Sequence, residues 1–261
     1  MNNVITEIFC FVDEFCKIFQ QELEKKSLPN QKSKRKPTRE PGLSIAEIAT
    51  ILILYSFSPC KNFKFYYLNC VKKEDFPGLV SYNRFIELQP RAFKVITALA
   101  DACKGRETGH YFIDATMIPV CHNKRIYGNK VFKNKAATGK STMGWFFGFK
   151  LHLVINERGE IMNLALTKAN EPDISMLEIL AQNLCGRIYG DKGYICSKRF
   201  KKLLEKGLKL VTGVKKNMKN QLMEMKDKLM LRKRSLVETV FDILKNKLGL
   251  SLPDIVRRLI F

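Results

Sequence analysis

The sequence predicts an α/β protein in which an N-terminal helical domain precedes a domain built on a mixed sheet. Apolar residues recur at helical spacing over roughly the first hundred positions, and an alternating, strand-like run begins at residue 111. Strand and helix patterns then follow one another towards the C-terminus. The chain has 261 residues, 46% of them hydrophobic, which is enough for two folded domains. We therefore expect one domain over residues 1–106 and a second over residues 107–261.

The first domain is predicted to be all helical. Residues 4–19 place their apolar side chains on one helical face. A second helix is expected over residues 43–56, because Ser44 and Glu47 match a capping box at its start. A third helix is expected over residues 81–103.

Aromatic residues crowd among lysines in residues 62–72 and include Phe63, Phe65, Tyr66 and Tyr67. Exposed aromatic side chains next to cations can stack on nucleobases. In a small helical domain such residues more often pack in the core, and that interpretation is favoured about two to one. The stacking interpretation stays open.

Residues 25–42 are rich in Lys, Arg, Ser and Pro and offer almost nothing to bury. This segment is predicted to be an exposed basic arm, in which Lys34, Arg35 and Lys36 are the densest cationic run. Two interpretations carry equal weight: a solvated linker, or an arm that contacts the phosphates of DNA.

The pattern changes to β at residues 111–119, a strand that we expect Pro119 to end. Asp114 lies in the middle of this apolar run and shares a face with Thr116. A carboxylate inside a strand is unfavourable unless it is paired or bound to a metal. Asp114 is therefore the first candidate functional residue.

A β-hairpin follows, with strands predicted over residues 144–155 and 161–169. The single tryptophan, Trp145, opens the hairpin and is expected to pack in the core. Residues 171–184 are predicted to be a helix in which Asp173 is a capping or first-turn acid.

A strand over residues 186–190 ends at Asp191, which lies between two glycines in the sequence GDKG. A helix over residues 197–206 and a strand over residues 208–214 come next. In α/β sheets, functional side chains gather where strands end, so Asp191 is the second candidate acid.

The last predicted helix covers residues 231–248 and carries an apolar stripe. Beside that stripe, Arg234, Glu238 and Lys245 fall on one edge at 3.6 residues per turn. A carboxylate between two cations suits a site for a metal and a phosphate. Ser235 and Glu238 also fit a capping box, so a purely structural role for Glu238 is an equal alternative at this point.

Charge predicts a polyanionic partner. The chain has 46 Lys and Arg against 25 Asp and Glu, a net charge of +21. Residues 187–234 alone carry 16 basic and 4 acidic residues. Such clustering favours nucleic acid or an anionic membrane surface as the partner. No secretory signal and no apolar run long enough to span a bilayer is evident, so a cytoplasmic protein without a membrane partner is expected.

Asp114, Asp191 and Glu238 stand out by context. Three carboxylates brought together repel each other, and binding divalent cations such as Mg²⁺ relieves the repulsion. Two such ions can hold the attacking and leaving oxygens of a phosphodiester. With Lys192, Arg234 and Lys245 to hold phosphates, the residues favour a metal-dependent enzyme acting on DNA or RNA.

The sequence resembles DDE-type transposases of bacterial insertion sequences, and most closely the insertion-sequence family numbered nine hundred and eighty-two. The resemblance covers about residues 1–247 and depends on the motifs YFIDAT, VCHNKRI, GKSTMGWFFGFKLHLVINERGEI, YGDKGYI, VKKNMKN and LRKRSLVET. It implies a ribonuclease H-like second domain in which Asp114, Asp191 and Glu238 are the catalytic residues and the ligands of two Mg²⁺ or Mn²⁺ ions. Their separations of 77 and 47 residues suit that fold.

The resemblance also implies a function. Such a transposase cleaves DNA at the terminal inverted repeats of its element and joins the freed 3′-OH to target DNA. A homodimer in the active complex and a nucleoid-associated location in a bacterial cytoplasm are expected with it. Lys192, Arg234, Lys245 and the arm residues Lys34, Arg35 and Lys36 are the candidate DNA-binding residues.

Two departures from the family pattern leave alternatives open. Leu231 occupies the tyrosine position of the signature that Arg234, Glu238 and Lys245 otherwise match. After about Lys247 the sequence lacks the His- and Arg-rich stretch of its relatives, so a truncated or frameshifted and impaired copy is expected. The alternatives to an active transposase are a decayed DNA-binding copy and a structure-selective nuclease of the same fold.

Overall fold

The computed structural model describes residues 3–26, 42–142, 144–214 and 223–250. The chain divides into two compact units between Cys103 and Lys104. Most of the predicted basic arm, including Lys34, Arg35 and Lys36, lies outside the described residues, as does the C-terminal tail from residue 251. No helix in the described ranges is long and apolar enough to cross a membrane.

The described part of the first unit is helical, as predicted. Its helices are α1 (Asn3–Lys26), α2 (Ile45–Phe57), α3 (Phe63–Asn69), α4 (Tyr82–Leu88) and α5 (Phe93–Ala102). The predicted capping box is present at the start of α2, where the Ser44 hydroxyl accepts from the Glu47 amide and the Glu47 carboxylate accepts from the Ser44 amide. The helix predicted over residues 81–103 is instead interrupted by a 3₁₀ turn at Gln89–Ala92, because Pro90 cannot donate a helical hydrogen bond.

An aromatic cluster forms the centre of this unit. Phe63 is fully buried and lies 5.6 Å from Phe85 and 5.1 Å from Tyr55, measured between ring centroids. The core interpretation of the aromatic run is therefore correct for Phe63, Tyr66 and Tyr67, which are buried. It is wrong for Phe65, whose ring is 59% exposed.

Helix α1 buries only part of its predicted apolar face. Val12 is fully buried, whereas Val4, Phe11 and Ile18, which recur every seven residues, are more than half exposed.

The second unit is built on a six-stranded mixed sheet. The strands are β1 (His110–Cys121), β2 (Ala137–Ser141), β3 (Gly144–Asn156), β4 (Ile161–Lys168), β5 (Gly186–Gly190) and β6 (Leu208–Thr212). They lie in the order β2, β3, β1, β5, β6, and β4 pairs with β3. Strand β3 is antiparallel to β1, β2 and β4, whereas β1, β5 and β6 are parallel to one another. The predicted fold class, an α/β protein with N-terminal helices followed by a mixed sheet, is confirmed.

Helices cover both faces of the sheet. Short helix α6 (Leu177–Leu180) and helix α7 (Ser197–Glu205) bury Leu177 and Leu203 on the face that carries Tyr111 and Ile113. Helices α8 (Met225–Lys233) and α9 (Leu236–Asp242) follow β6. Helix α9 buries Val237 and Phe241 on the opposite face, which carries Phe112 and Ile118. Strand β1 is therefore buried from both sides.

Three further predictions need correction. Strand β1 continues past Pro119, because that proline is exposed and the β1–β3 register shifts there, so no ladder amide is lost. Trp145 is 62% exposed rather than in the core. The helix predicted over 171–184 shortens to a 3₁₀ turn and α6, because the chain turns at Asn183 with φ 61°. Strand β2 was not predicted.

Gly148 allows the close approach of β3 to β1. A Cβ atom at this position would lie 2.1 Å from the carbonyl oxygen of Ile118 on the paired strand. We expect Gly148→Ala to push the strands apart and to cost about 1–3 kcal/mol, as overpacking usually does. The melting temperature should fall by roughly 2–4 °C per kcal/mol in calorimetry. Gly128→Ala, whose Cβ would meet nothing closer than 3.8 Å, is the control and should melt like the wild type.

Candidate active site

Asp114 lies on the central strand, on the face that α9 covers. Phe112 and Ile118 on this face are buried under Val237 and Phe241, and Asp114 and Thr116 stand between them in the same alternating row. The Asp114 side chain is only 24% exposed. Its Oδ1 accepts a hydrogen bond from the Ala115 amide at 2.9 Å. Strand β1 thus carries one carboxylate, that of Asp114, on the face that α9 covers.

Arg234 provides the charge that compensates Asp114. Its Nη1 donates to Asp114 Oδ2 at 2.8 Å, and the Arg234 side chain is itself 25% exposed. Burial raises the pKa of Asp114 above its ordinary value, and the negative charges of Asp191 and Glu238 raise it further. The Ala115 amide and Arg234 lower the pKa but do not outweigh burial. The carboxylate is therefore held in a setting that favours a bound cation.

Asp191 follows the last residue of β5, on the strand next to β1. The parallel pairing aligns His110 with Arg187 and Phe112 with Tyr189. The pairing ends at Phe112 and Tyr189; Asp114 and Asp191 each follow two residues later, and the charge of Asp191 raises the pKa of Asp114. Asp191 is exposed, and its Oδ1 accepts from the Lys192 amide at 2.7 Å. The convergence of Asp191, at the end of β5, on Asp114, in the middle of β1, stays a prediction with which this pairing is consistent.

Glu238 lies in the first turn of α9 and is exposed. The helix predicted over residues 231–248 is not continuous, because a turn at Arg234 and Ser235 separates α8 from α9. The capping-box alternative for Glu238 is wrong: Ser235 has helical dihedral angles and its side chain caps no amide of α9. Since α9 packs on β1, Glu238 is close enough for its charge to raise the pKa of Asp114.

The other two cations predicted for the second unit, Lys245 and Lys192, lie on different elements. Lys245 lies in a π-helical turn, Ile243–Lys247, and its Nζ donates to the Thr116 hydroxyl, two residues from Asp114 on β1. Burial lowers the pKa of Lys245. Lys192 is exposed immediately after Asp191. The structure therefore brings Arg234 and Lys245 onto β1, and keeps Lys192 at the end of β5.

The donor set suits a hard divalent cation. Carboxylate oxygens are the preferred protein ligands of Mg²⁺, and the carboxylates of Asp191 and Glu238 are exposed. Among the residues that the structure describes, no three His, Cys, Asp or Glu side chains are already close enough to form a metal-binding group. In this structure Arg234 satisfies Asp114 Oδ2 instead.

Sequence reasoning missed a polar group on the other face of the sheet. Lys150 Nζ donates to Asp173 Oδ1 at 2.9 Å, so Asp173 is an ion-pair partner rather than only a helix cap. Nearby, His152 is fully buried and its Nε2 lies 2.8 Å from the Thr167 hydroxyl. Along β3, Lys150 and His152 alternate with apolar residues, and this sequence pattern could have indicated the polar group.

Tyr194 was also missed. Its ring is 2% exposed and its hydroxyl has no hydrogen-bond partner within the described part of the chain. Burial raises the pKa of the phenol, and the charges of Asp173, Asp114 and Asp191 contribute. Tyr194 lies three residues after Asp191 and packs in the core cluster that contains Tyr111 and Ile113.

A buried ion-pair network ties α8 to β5. Asp227 on α8 is 2% exposed, and its Oδ1 accepts from Arg187 at 2.7 Å and from the Tyr189 hydroxyl at 2.9 Å. Glu224 also accepts from Arg187, at 2.8 Å. Because α8 leads to Arg234 and β5 leads to Asp191, this network fixes the two elements that bring those residues towards Asp114.

The profile of the family described as Transposase DDE domain matches residues 104–251. This match covers more than half of the chain and includes Asp114, Asp191 and Glu238. The protein therefore belongs to the DDE transposase domain family. A comparison with curated protein sequences gives no match.

Two solved structures are distantly similar. One is a piggyBac transposase synaptic complex with hairpin DNA, with a TM-score of 0.41 and 13% identity over 85% of this chain and 50% of that one. The other is a simian T-cell lymphotropic virus intasome in complex with PP2A regulatory subunit B56 gamma. It has a TM-score of 0.27 and 14% identity over 77% of this chain and 64% of that one. The chain thus spans half the length of the piggyBac chain that it matches.

The Asp227 network should give a pH-dependent contribution to stability. Burial alone would raise the pKa of Asp227, but hydrogen bonds from Arg187 and Tyr189 outweigh it and lower the pKa. Stability from a depressed carboxylate is present above the unfolded pKa of about 3.9 and is lost as the pH falls through the folded value. We expect Asp227→Asn to lower the free energy of unfolding by about 1–3 kcal/mol at pH 7.

Denaturant unfolding at several pH values measures this effect. The difference between wild type and Asp227→Asn should be constant near neutral pH and should shrink below about pH 4. Asp242→Asn, an exposed acid on α9, is the matched control. A difference for Asp227→Asn that stayed constant down to pH 2.5 would mean that the ionised carboxylate is not what stabilises the fold.

Proposed function

We propose that this protein is a metal-dependent transposase that cleaves DNA at the terminal inverted repeats of an insertion sequence and joins the freed 3′-OH to target DNA. The observation that carries the proposal is the β1–β5 pairing, which brings the end of β5 beside the middle of β1, so that the charge of Asp191 raises the pKa of Asp114. Glu238 on α9 lies within electrostatic reach of Asp114. Membership of the DDE transposase domain family supports the same reading.

In this proposal Asp114, Asp191 and Glu238 hold two Mg²⁺ or Mn²⁺ ions. Bound there, the ions would supply Lewis-acid activation of the attacking oxygen and stabilisation of the leaving oxygen of a phosphodiester. Asp114 is the fixed member of the set, since it lies on a central strand buried from both sides. Asp191 and Glu238 are exposed and adjust to it.

The cations of the site have separate roles. Arg234 neutralises Asp114 before the site is loaded, because an unpaired carboxylate at this depth would be costly. Lys245 is anchored on Thr116 and brings positive charge to the same central strand as Asp114. Exposed Lys192 is placed to bind a non-reacting phosphate beside Asp191. Together they orient the DNA backbone across the three acids.

The proposed partner is DNA. The excess charge of +21, concentrated in residues 187–234, supplies the sequence-independent part of the affinity. We further propose that the protein belongs with the bacterial insertion sequences of the family numbered nine hundred and eighty-two, and that it acts as a homodimer on paired element ends.

Replacing any one of the three acids should abolish strand cleavage. We expect Asp114→Asn, Asp191→Asn and Glu238→Gln each to lose cleavage of labelled element ends in Mg²⁺, because each removes a ligand oxygen charge. DNA binding, measured by gel shift in Ca²⁺, should remain. Glu178→Gln on α6 is a control that should cleave normally. Full cleavage by Asp191→Asn would contradict the two-metal proposal.

The same assay separates a transposase from a nuclease of the same fold. Labelled element ends are incubated with protein, Mg²⁺ and a plasmid target. Joined products are expected of a transposase, and cleavage without joining would identify a structure-selective nuclease. Binding without cleavage would identify a DNA-binding copy that has lost its chemistry.

Affinity for DNA should depend strongly on salt. If six to ten phosphates are contacted, the association constant should fall by roughly 10³ to 10⁵ between 50 and 200 mM salt. Neutralising Lys34, Arg35 and Lys36 together should weaken binding to all sequences alike and flatten the salt dependence. A change in preference between sequences would instead mean that the arm reads bases.

A further inference from the structure

Two cysteine side chains lie next to each other in the first unit, away from the proposed site. Cys60 precedes α3 and Cys70 is the residue that ends it. Their Sγ atoms are 3.7 Å apart. Neither cysteine is in a disulfide bond. Cys70 is exposed and Cys60 is partly exposed. A disulfide bond is about 2.05 Å long, so the sulfurs need to approach by less than 2 Å, which side-chain rotation can provide.

We propose that Cys60 and Cys70 are a reversible oxidation site that forms a disulfide across the two ends of α3. A pair of thiols can alternatively bind a metal, but a structural zinc site takes four ligands. Within the described ranges, no group of three or more His, Cys, Asp or Glu side chains is placed to hold a metal. The pair is therefore better suited to a disulfide than to a metal.

The oxidant is a small disulfide such as glutathione disulfide, and the reaction proceeds by thiol–disulfide exchange. The Cys70 thiolate attacks one sulfur of the oxidant, forms a mixed disulfide and releases one glutathione thiolate. The Cys60 thiolate then attacks the Cys70 sulfur and releases the second glutathione thiolate. Two thiol protons pass to the two glutathiones, so two protein thiols are oxidised and one small disulfide is reduced.

Exposure and acidity set the order and rate of these steps. Cys70 is the more exposed sulfur, so it reacts first. Burial, followed by the neighbouring Cys60, raises the pKa of the Cys70 thiol. The thiolate is the attacking species, so the reaction should accelerate as the pH rises from 7 to 9.

The cross-link would constrain a helix with two different faces. Phe63, Tyr66 and Tyr67 anchor α3 in the aromatic core, whereas Lys64 and the 59% exposed Phe65 face outwards. Joining the residues at both ends of the helix restricts its opening without removing a core contact. Oxidation is thus expected to rigidify the exposed, basic and aromatic surface of α3.

Peptide mass spectrometry of the full chain tests the proposal. The reduced protein is equilibrated with glutathione disulfide, free thiols are alkylated, and the chain is cut with trypsin. Cleavage after Lys61 and Lys64 leaves Cys60 and Cys70 on different peptides. We expect these two peptides to be recovered joined, two hydrogens lighter than their sum, with separation after reduction. Backbone amides of α3 should exchange hydrogen at least threefold more slowly in the oxidised protein.

Serine variants supply the controls. Cys60→Ser and Cys70→Ser should each abolish the joined peptide and the slower exchange, whereas Cys103→Ser, at the exposed end of α5, should change neither. Recovery of Cys60 and Cys70 as separate alkylated or glutathionylated peptides in excess oxidant would overturn the proposal. So would a joined peptide that leaves the exchange of α3 unchanged, because the cross-link would then constrain nothing.

Discussion

The structure of the second unit depends on one costly feature, a carboxylate three-quarters buried in the central strand of the sheet. Asp114 cannot move to the surface, because the residues on either side of it in the same row, Phe112 and Ile118, are fixed in the core. Its negative charge must therefore be neutralised by a cationic side chain that reaches β1. Arg234 Nη1 donates a hydrogen bond to Asp114 Oδ2 at 2.8 Å. This contact requires the chain to return to β1 some 120 residues after Asp114.

That return explains how the final helices are arranged. Asp227 anchors α8 to β5 through Arg187 and Tyr189, and Val237 and Phe241 anchor α9 to the face of β1. Arg234 lies in the turn between these two anchors, where α8 ends and α9 has not yet begun. Fixed segments on both sides of a short turn position one guanidinium over one carboxylate. The same arrangement holds Glu238 one turn further along.

Much of this was predictable from the sequence, for local reasons. Asp114 was identified because a charge interrupts an apolar strand, and Asp191 because it ends a strand between two glycines. The Asp227 network was not foreseen, since its partners Arg187 and Tyr189 are 40 and 38 residues away and no local pattern links them. The Ser235–Glu238 spacing pointed equally to a helix cap, which the helical backbone at Ser235 excludes. The π turn at Lys245 was not predicted either, since the apolar stripe continues through it at ordinary helical spacing.

The position of Trp145 has a practical consequence for spectroscopy. It is the single indole of the chain, it is 62% exposed, and Lys140 Nζ lies 5.9 Å from its ring centroid. An indole already surrounded by water in the native protein emits at nearly the same wavelength after denaturation. The wavelength of tryptophan emission should therefore change little on unfolding. It should instead respond to the binding of another molecule over the start of β3.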